Sequence, residues 1–157
     1  VPVMRPMMLE FPDDPTCATL DRQYMFGDSL LVAPVFSADG WVEYYVPEGR
    51  WTNYLSGDVV VGPRWVREQH GFLSVPLLVR PNCVIPVGAV SDRTDYDYSE
   101  GLTLRAYELA DGAPVKVVIP AADGTPVATA TVRRAGDSVA VEVEGNLPGV
   151  QGVLVGK

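Results

Sequence analysis

The chain has 157 residues, 47% of them hydrophobic, and a formal charge of −8 from 20 acidic and 12 basic side chains. That length suffices for one buried domain or two small ones, and the apolar share excludes a disordered chain. An acidic chain without a basic cluster is repelled by nucleic acid and anionic lipid, and no apolar run reaches membrane-spanning length, so neither nucleic acid nor membrane is an expected partner.

The 15 glycines and 14 prolines point to short strands joined by turns rather than to long helices. Residues 1–11 (VPVMRPMMLEF) are apolar, and Pro2 and Pro6 bar a helix interior, so the segment reads as extended. Arg5 and Glu10 are its only charges. A turn follows, in which Asp14 is placed to cap a short helix over residues 16–22. The run Leu30 to Phe36, entered through Gly27-Asp28-Ser29, is nearly all apolar and reads as a strand buried on both faces. Trp41 to Val46 and Arg50 to Leu55 read as an antiparallel hairpin about a turn at Pro47-Glu48-Gly49. Residues 58–61 and 64–68 are weaker strands around Gly62-Pro63, and residues 77–80 and 83–87 are strands hinged at Pro81-Asn82.

Residues 91–101 (SDRTDYDYSEG) are acidic and nearly free of aliphatic side chains, which marks a boundary between domains at 1–90 and 91–157. Beyond it, strands are expected over 102–109, 115–119, 126–134, 138–144 and 150–155, with turns at Asp111-Gly112, Asp123-Gly124 and Gly136-Asp137. Ala128, Ala130 and Val132 alternate with Thr129, Thr131 and Arg133, and Val139, Val141 and Val143 repeat the pattern. The fold class is therefore all-β, built of antiparallel β-sandwiches, with the second one incomplete because its last strand meets the chain end.

Cys17 and Cys83 stand in no metal-ligand spacing; the pair allows a single disulfide, but two buried free thiols in a reducing compartment is the preferred reading, which predicts a cytoplasmic protein. With His70 the only histidine, no metal site and no cofactor are expected. Acid–base chemistry needs two carboxylates across a cleft. Asp13, Asp14, Asp21, Asp28 and Glu43 are the candidates, and turn and capping chemistry accounts for them without a cleft. His70, beside Gly71, reads as a loop hydrogen-bonding residue. Trp41, Trp51 and Trp65 are weak candidates for a sugar-stacking platform, set against a packing role in the strands.

The segments PVMRPMMLEFPDD (2–14) and DRQYMFGDSLLVAPV (21–35) closely resemble glycoside hydrolase family 31, just after its catalytic barrel. Bacterial α-xylosidases and α-glucosidases are the branch they resemble most. Pro47-Glu48-Gly49-Arg50-Trp51-Thr52 is similar to the family's P-x-G-x-W hairpin. Val75 to Arg80 with Val84-Ile85-Pro86 is similar to its P-x-x-V-R and I-P strands. The resemblance implies a proximal C-terminal β-domain over 1–90 and part of a distal one over 91–157. It makes Arg5, Phe11, Pro12, Asp13, Asp14, Gln23, Tyr24, Gly27, Asp28, Pro34, Trp51 and Arg80 structural motif positions.

In such enzymes the nucleophile and acid/base aspartates lie on barrel strands upstream, and no position here matches either motif. The implied function is the non-catalytic C-terminal portion of a retaining α-glycosidase (EC 3.2.1), cutting terminal α-linked sugars in the full-length protein. This chain would carry no catalytic residue of its own and would brace the barrel. The implied partner is that barrel, with carbohydrate reached only through the full-length enzyme; homo-oligomerisation stays open. The alternative is a carbohydrate-binding β-sandwich module.

Overall fold

Extended segments dominate the chain, and a computed structural model describes them for residues 2–155. Val1, Gly156 and Lys157, where the opening segment and the second domain are expected to begin and end, lie outside the described residues. The chain forms two units that divide between Pro81 and Asn82.

The first unit is one six-stranded antiparallel sheet in the order β1-β2-β3-β6-β4-β5. Its strands are β1 (Met4–Pro6), β2 (Tyr24–Phe26), β3 (Leu30–Val32), β4 (Trp41–Asn53), β5 (Val59–Gln69) and β6 (Leu77–Val79). Helix α1 (Met7–Glu10) and a 3-10 turn (Pro15–Thr19) supply Met7 and Cys17 to a core with Met25, Leu31, Tyr44, Val46, Trp51 and Leu78. Of the apolar run Leu30 to Phe36 only Leu30–Val32 becomes a strand, flanked by β2 and β6, and it is not buried on both faces: Leu31 is buried, Leu30 and Val32 are half-buried, and Phe36 is exposed. The chain leaves the ladder after Val32, because Pro34 has no N–H to donate.

The hairpin expected at Pro47-Glu48-Gly49 is instead a bulge inside β4, which runs on for 13 residues. β5 pairs with it on both sides, and the register slips between Val46 and Gly49. Gly49 takes a φ of +127°, and a Cβ on Gly62 opposite would lie 2.0 Å from the Pro47 carbonyl oxygen. Two glycines thus let the backbones close up where a turn-like sequence kinks the strand. For the same reason the two weak strands expected around Gly62-Pro63 are the single strand β5.

The second unit packs two three-stranded sheets, β11-β10-β9 and β12-β8-β7, around one core. Here β7 is Cys83–Val87, β8 Thr103–Tyr107, β9 Val115–Pro120, β10 Pro126–Ala135, β11 Ser138–Gly145 and β12 Gln151–Val155. Of the alternation read in β10, the apolar face is as expected, with Ala128, Ala130 and Val132 buried in one core with Leu104, Ala106 and Ile119, but Thr131 on the other face is buried too. β12 runs parallel to β8, an exception to the otherwise antiparallel pairing. β7 pairs with β8, Cys83 opposite Tyr107, so it belongs with the second unit. The acidic stretch 91–101, read as a boundary, is therefore a connection between two adjacent strands of that unit.

Candidate functional site: an ion-paired apolar edge and an aromatic cleft

Pro6 ends β1 and opens α1, and that switch brings Arg5 and Glu10 face to face. Arg5 points inward from β1, buried to 8% exposure. Its Nε donates to Glu10 Oε2 at 3.0 Å, its Nη1 donates to the Pro2 carbonyl at 3.3 Å, and its Nη2 lies 3.4 Å from Asp28 Oδ1. Arg80, just after β6, reaches the same carboxylate: its Nη1 donates to Glu10 Oε1 at 2.6 Å and to the Asp28 carbonyl at 3.0 Å. The Arg80 guanidinium also lies 5.6 Å from the centre of the Phe11 ring, within cation–π range. Burial pushes the Glu10 carboxyl up, but the hydrogen bonds and charges of Arg80 and Arg5 outweigh it and hold the group below its ordinary value. Around this ionic knot the side chains of Val3, Met4, Met8, Leu9 and Phe26 stay exposed, Leu9 to 66%. Met4 and Phe26 are direct cross-strand partners on the β1–β2 edge, and Met8 and Leu9 follow in α1.

Other motif residues hold the first unit together. Asp14 caps the 3-10 turn by accepting from the Thr16 N–H at 3.0 Å and accepts from the Tyr45 hydroxyl at 2.8 Å. Buried Gln23 imitates a neighbouring strand: its Nε2 donates to the Tyr45 carbonyl at 2.8 Å and its Oε1 accepts from the Tyr45 N–H at 2.7 Å. Tyr24 sits in β2 between Pro6 and Val32, and Gly27 turns the chain into β3 at a φ of +58°. Pro12 and Asp13 are exposed in their turn. Trp51 is buried, its indole N–H donating to the Pro47 carbonyl at 3.0 Å and its ring tilted against Phe11. It has no face to offer a ligand, so the sugar-stacking reading does not extend to it.

Trp41 and Trp65 are different. Both are exposed, and both line one cleft of about 750 Å³ with Phe36, Asp21, Arg22, Glu43 and Pro34. Asp21 and Glu43, two of the sequence-derived acid candidates, are thus brought to one cleft, while Asp13, Asp14 and Asp28 lie elsewhere. His70 makes the hydrogen bonds expected of it, to partners the sequence did not reveal. Its Nε2 lies 2.9 Å from Glu68 Oε1, which accepts from the Tyr44 hydroxyl at 3.0 Å, and its Nδ1 lies 2.8 Å from Ser74 Oγ. Among the described residues no group of histidine, cysteine and acidic side chains could hold a metal ion, and no helix is long and apolar enough to cross a membrane.

Residues 1–85 match the family model described as the glycosyl hydrolase family 31 C-terminal domain. The chain belongs to glycoside hydrolase family 31. Residues 97–157 match a second model, the C-terminal domain of alpha-xylosidase YicI. An alpha-xylosidase of Lactiplantibacillus pentosus is 37% identical over 147 residues, covering 92% of this chain and 19% of its own length. An alpha-xylosidase of Emericella nidulans is 38% identical over 160 residues, covering 96% of this chain and 20% of its own. The family 31 alpha-xylosidase structure from Xanthomonas citri superposes with a TM-score of 0.76 at 25% identity, over 98% of this chain and 18% of that one. The chain therefore spans about a fifth of the curated relatives it matches, and it corresponds to the C-terminal region of family 31 enzymes.

Within that family 31 region, the motif residues Arg5, Phe11, Asp28 and Arg80 converge on one place, and Glu10, which the motif reading left out, is its hub. The available signal was a lone acid and a lone base five positions apart in an otherwise apolar run. Glu68 and Ser74, the partners of His70, gave no comparable signal.

Proposed function

We propose that this chain is the non-catalytic C-terminal portion of a family 31 α-glycosidase, and that it braces the enzyme's own catalytic barrel. The substrate class we assign to the full-length enzyme is an α-xyloside or α-glucoside, on the strength of the alpha-xylosidase relatives. The observation that carries the bracing role is the exposed apolar edge at Met4, Met8, Leu9 and Phe26. Free-standing proteins seldom leave such a patch open, and here a part-buried ionic knot fixes the segments that present it. Two buried free thiols are in keeping with a reducing compartment, and we assign the enzyme to the cytoplasm.

The test is to express the preceding region of the same enzyme separately and assay it on an aryl α-xyloside and an aryl α-glucoside, with and without this chain. The expected result is no turnover by the chain alone and a gain in activity or thermal stability when the two are mixed. Turnover by the chain alone, or no association between the two pieces, overturns the reading.

A further inference from the structure

The cleft at the start of β4 takes no part in the ionic knot or the apolar edge, and bracing gives it no task. We propose that it binds a neutral oligosaccharide, an inference that does not rest on the bracing role. Side chains alternate along a strand, so Trp41 and Glu43 share one face of β4. The β4–β5 register puts Arg67 opposite Glu43 and Trp65 opposite Tyr45, on that same face. Each indole is supported by a neighbour: the Arg67 guanidinium lies 4.8 Å from the Trp41 ring, and Trp65 is tilted against Tyr45 with centroids 5.6 Å apart. Supported in this way, Trp41 is still 41% exposed and Trp65 52%. Two held, open aromatic plates are what the C–H faces of pyranose rings stack on, with little entropy lost on binding.

The opposite wall is equally fixed. Gln23 hydrogen-bonds the Tyr45 backbone through both ends of its amide, which pins the preceding Asp21 and Arg22 beside the cleft. Among the described residues the side chains of Asp21, Arg22 and Glu43 and both indole N–H groups make no hydrogen bond or ion pair, so acceptors and donors stand free around the plates. The carboxylates of Asp21 and Glu43 are matched by the guanidinium groups of Arg22 and Arg67, so the cleft has no net charge to attract an ion, and the chain's charge of −8 repels an anionic ligand. A hydroxyl-rich neutral ligand uses donors, acceptors and aromatic faces together. The volume of about 750 Å³ falls within the usual range for small-ligand sites.

The experiment is a titration of the 157-residue chain with maltotriose, isomaltotriose and xylotriose, followed by tryptophan fluorescence and calorimetry. At least one sugar should bind saturably, with a Kd of about 1 mM. Trp41→Ala and Trp65→Ala should each weaken that binding about tenfold while leaving the urea midpoint in place. Phe72→Ala, at an exposed aromatic outside the cleft, should leave it unchanged. No saturable binding by any of the three sugars overturns the proposal, as does binding that survives the Trp41→Ala/Trp65→Ala double variant. Acrylamide quenching of the full-length enzyme gives an independent check. If both indoles are shielded there without sugar, protein fills the cleft and the proposal fails.

Discussion

Glu10 is one carboxylate shared by two guanidinium groups, and Glu10→Gln removes that shared ionic partner from each arginine. The loss of these charge-assisted hydrogen bonds should cost about 2 kcal/mol, read as a lower urea midpoint at neutral pH. The folded state holds this carboxyl below its unfolded value of about 4.3. Its contribution is therefore complete above that unfolded value and is lost as the pH falls through the depressed folded one. Glutamine does not titrate, so the gap between the two proteins should close in acid. A gap that stays constant from neutral pH down to about pH 3 would remove Glu10 as an ionic hub. Cys17 offers a second residue-scale check. Burial and the nearby Asp14 carboxylate push its thiol up to about 11, so iodoacetamide at pH 8 should spare it in the folded chain and label it in urea. The sequence showed Glu10 only as a charge in an apolar run. Its second partner, Arg80, lies 70 positions away, and no local pattern reports a contact of that range.

At the scale of elements, local periodicity located most strands but could not decide which ones pair. β10 was readable because Ala128, Ala130 and Val132 alternate with polar residues, and that alternation puts the three apolar side chains in the core, although Thr131 between them is buried as well. The bulge in β4 was not, since Pro47-Glu48-Gly49 carries the chemistry of a tight turn and only the approach of Gly62 makes it a kink in a continuous strand. This predicts that Gly62→Ala is severe. The new Cβ meets two backbone carbonyls, at 2.0 Å from Pro47 and 2.6 Å from Val46, which no rotamer change relieves. A loss of about 3 kcal/mol is expected, measured by urea unfolding. An alanine tolerated there would mean that β5 can slide off the bulge. Gln23→Ala tests the other edge of β4. It strips the Tyr45 N–H and carbonyl of their buried partners, so it should cost about 2–3 kcal/mol and speed amide exchange at Tyr45. The parallel β8–β12 pair and the transfer of β7 to the second unit escaped the sequence for the same reason: pairing is set by distant residues that composition does not reveal.

For the molecule as a whole, the family was legible because several motifs occur in order along the first unit. The role was less so, because the relatives are about five times longer than this chain. What the chain does show on this scale is a competition between charge and apolar surface. A net charge of −8 repels copies that come within about 8–10 Å of one another at physiological salt, while the edge formed by Met4, Met8, Leu9 and Phe26 attracts on contact. Salt weakens the first force and spares the second. The chain on its own should therefore self-associate with rising concentration, and more strongly at about 1 M sodium chloride than at low salt, as sedimentation velocity would measure. Met8→Gln together with Leu9→Gln changes no charge and removes apolar surface that is already exposed, so stability should move by no more than about 0.5 kcal/mol while association falls away. The same double variant should fail to rescue a separately expressed catalytic region, because the face that self-associates is the face proposed to brace. If association disappears but rescue persists, the two surfaces are different, and the brace must be sought elsewhere on the chain.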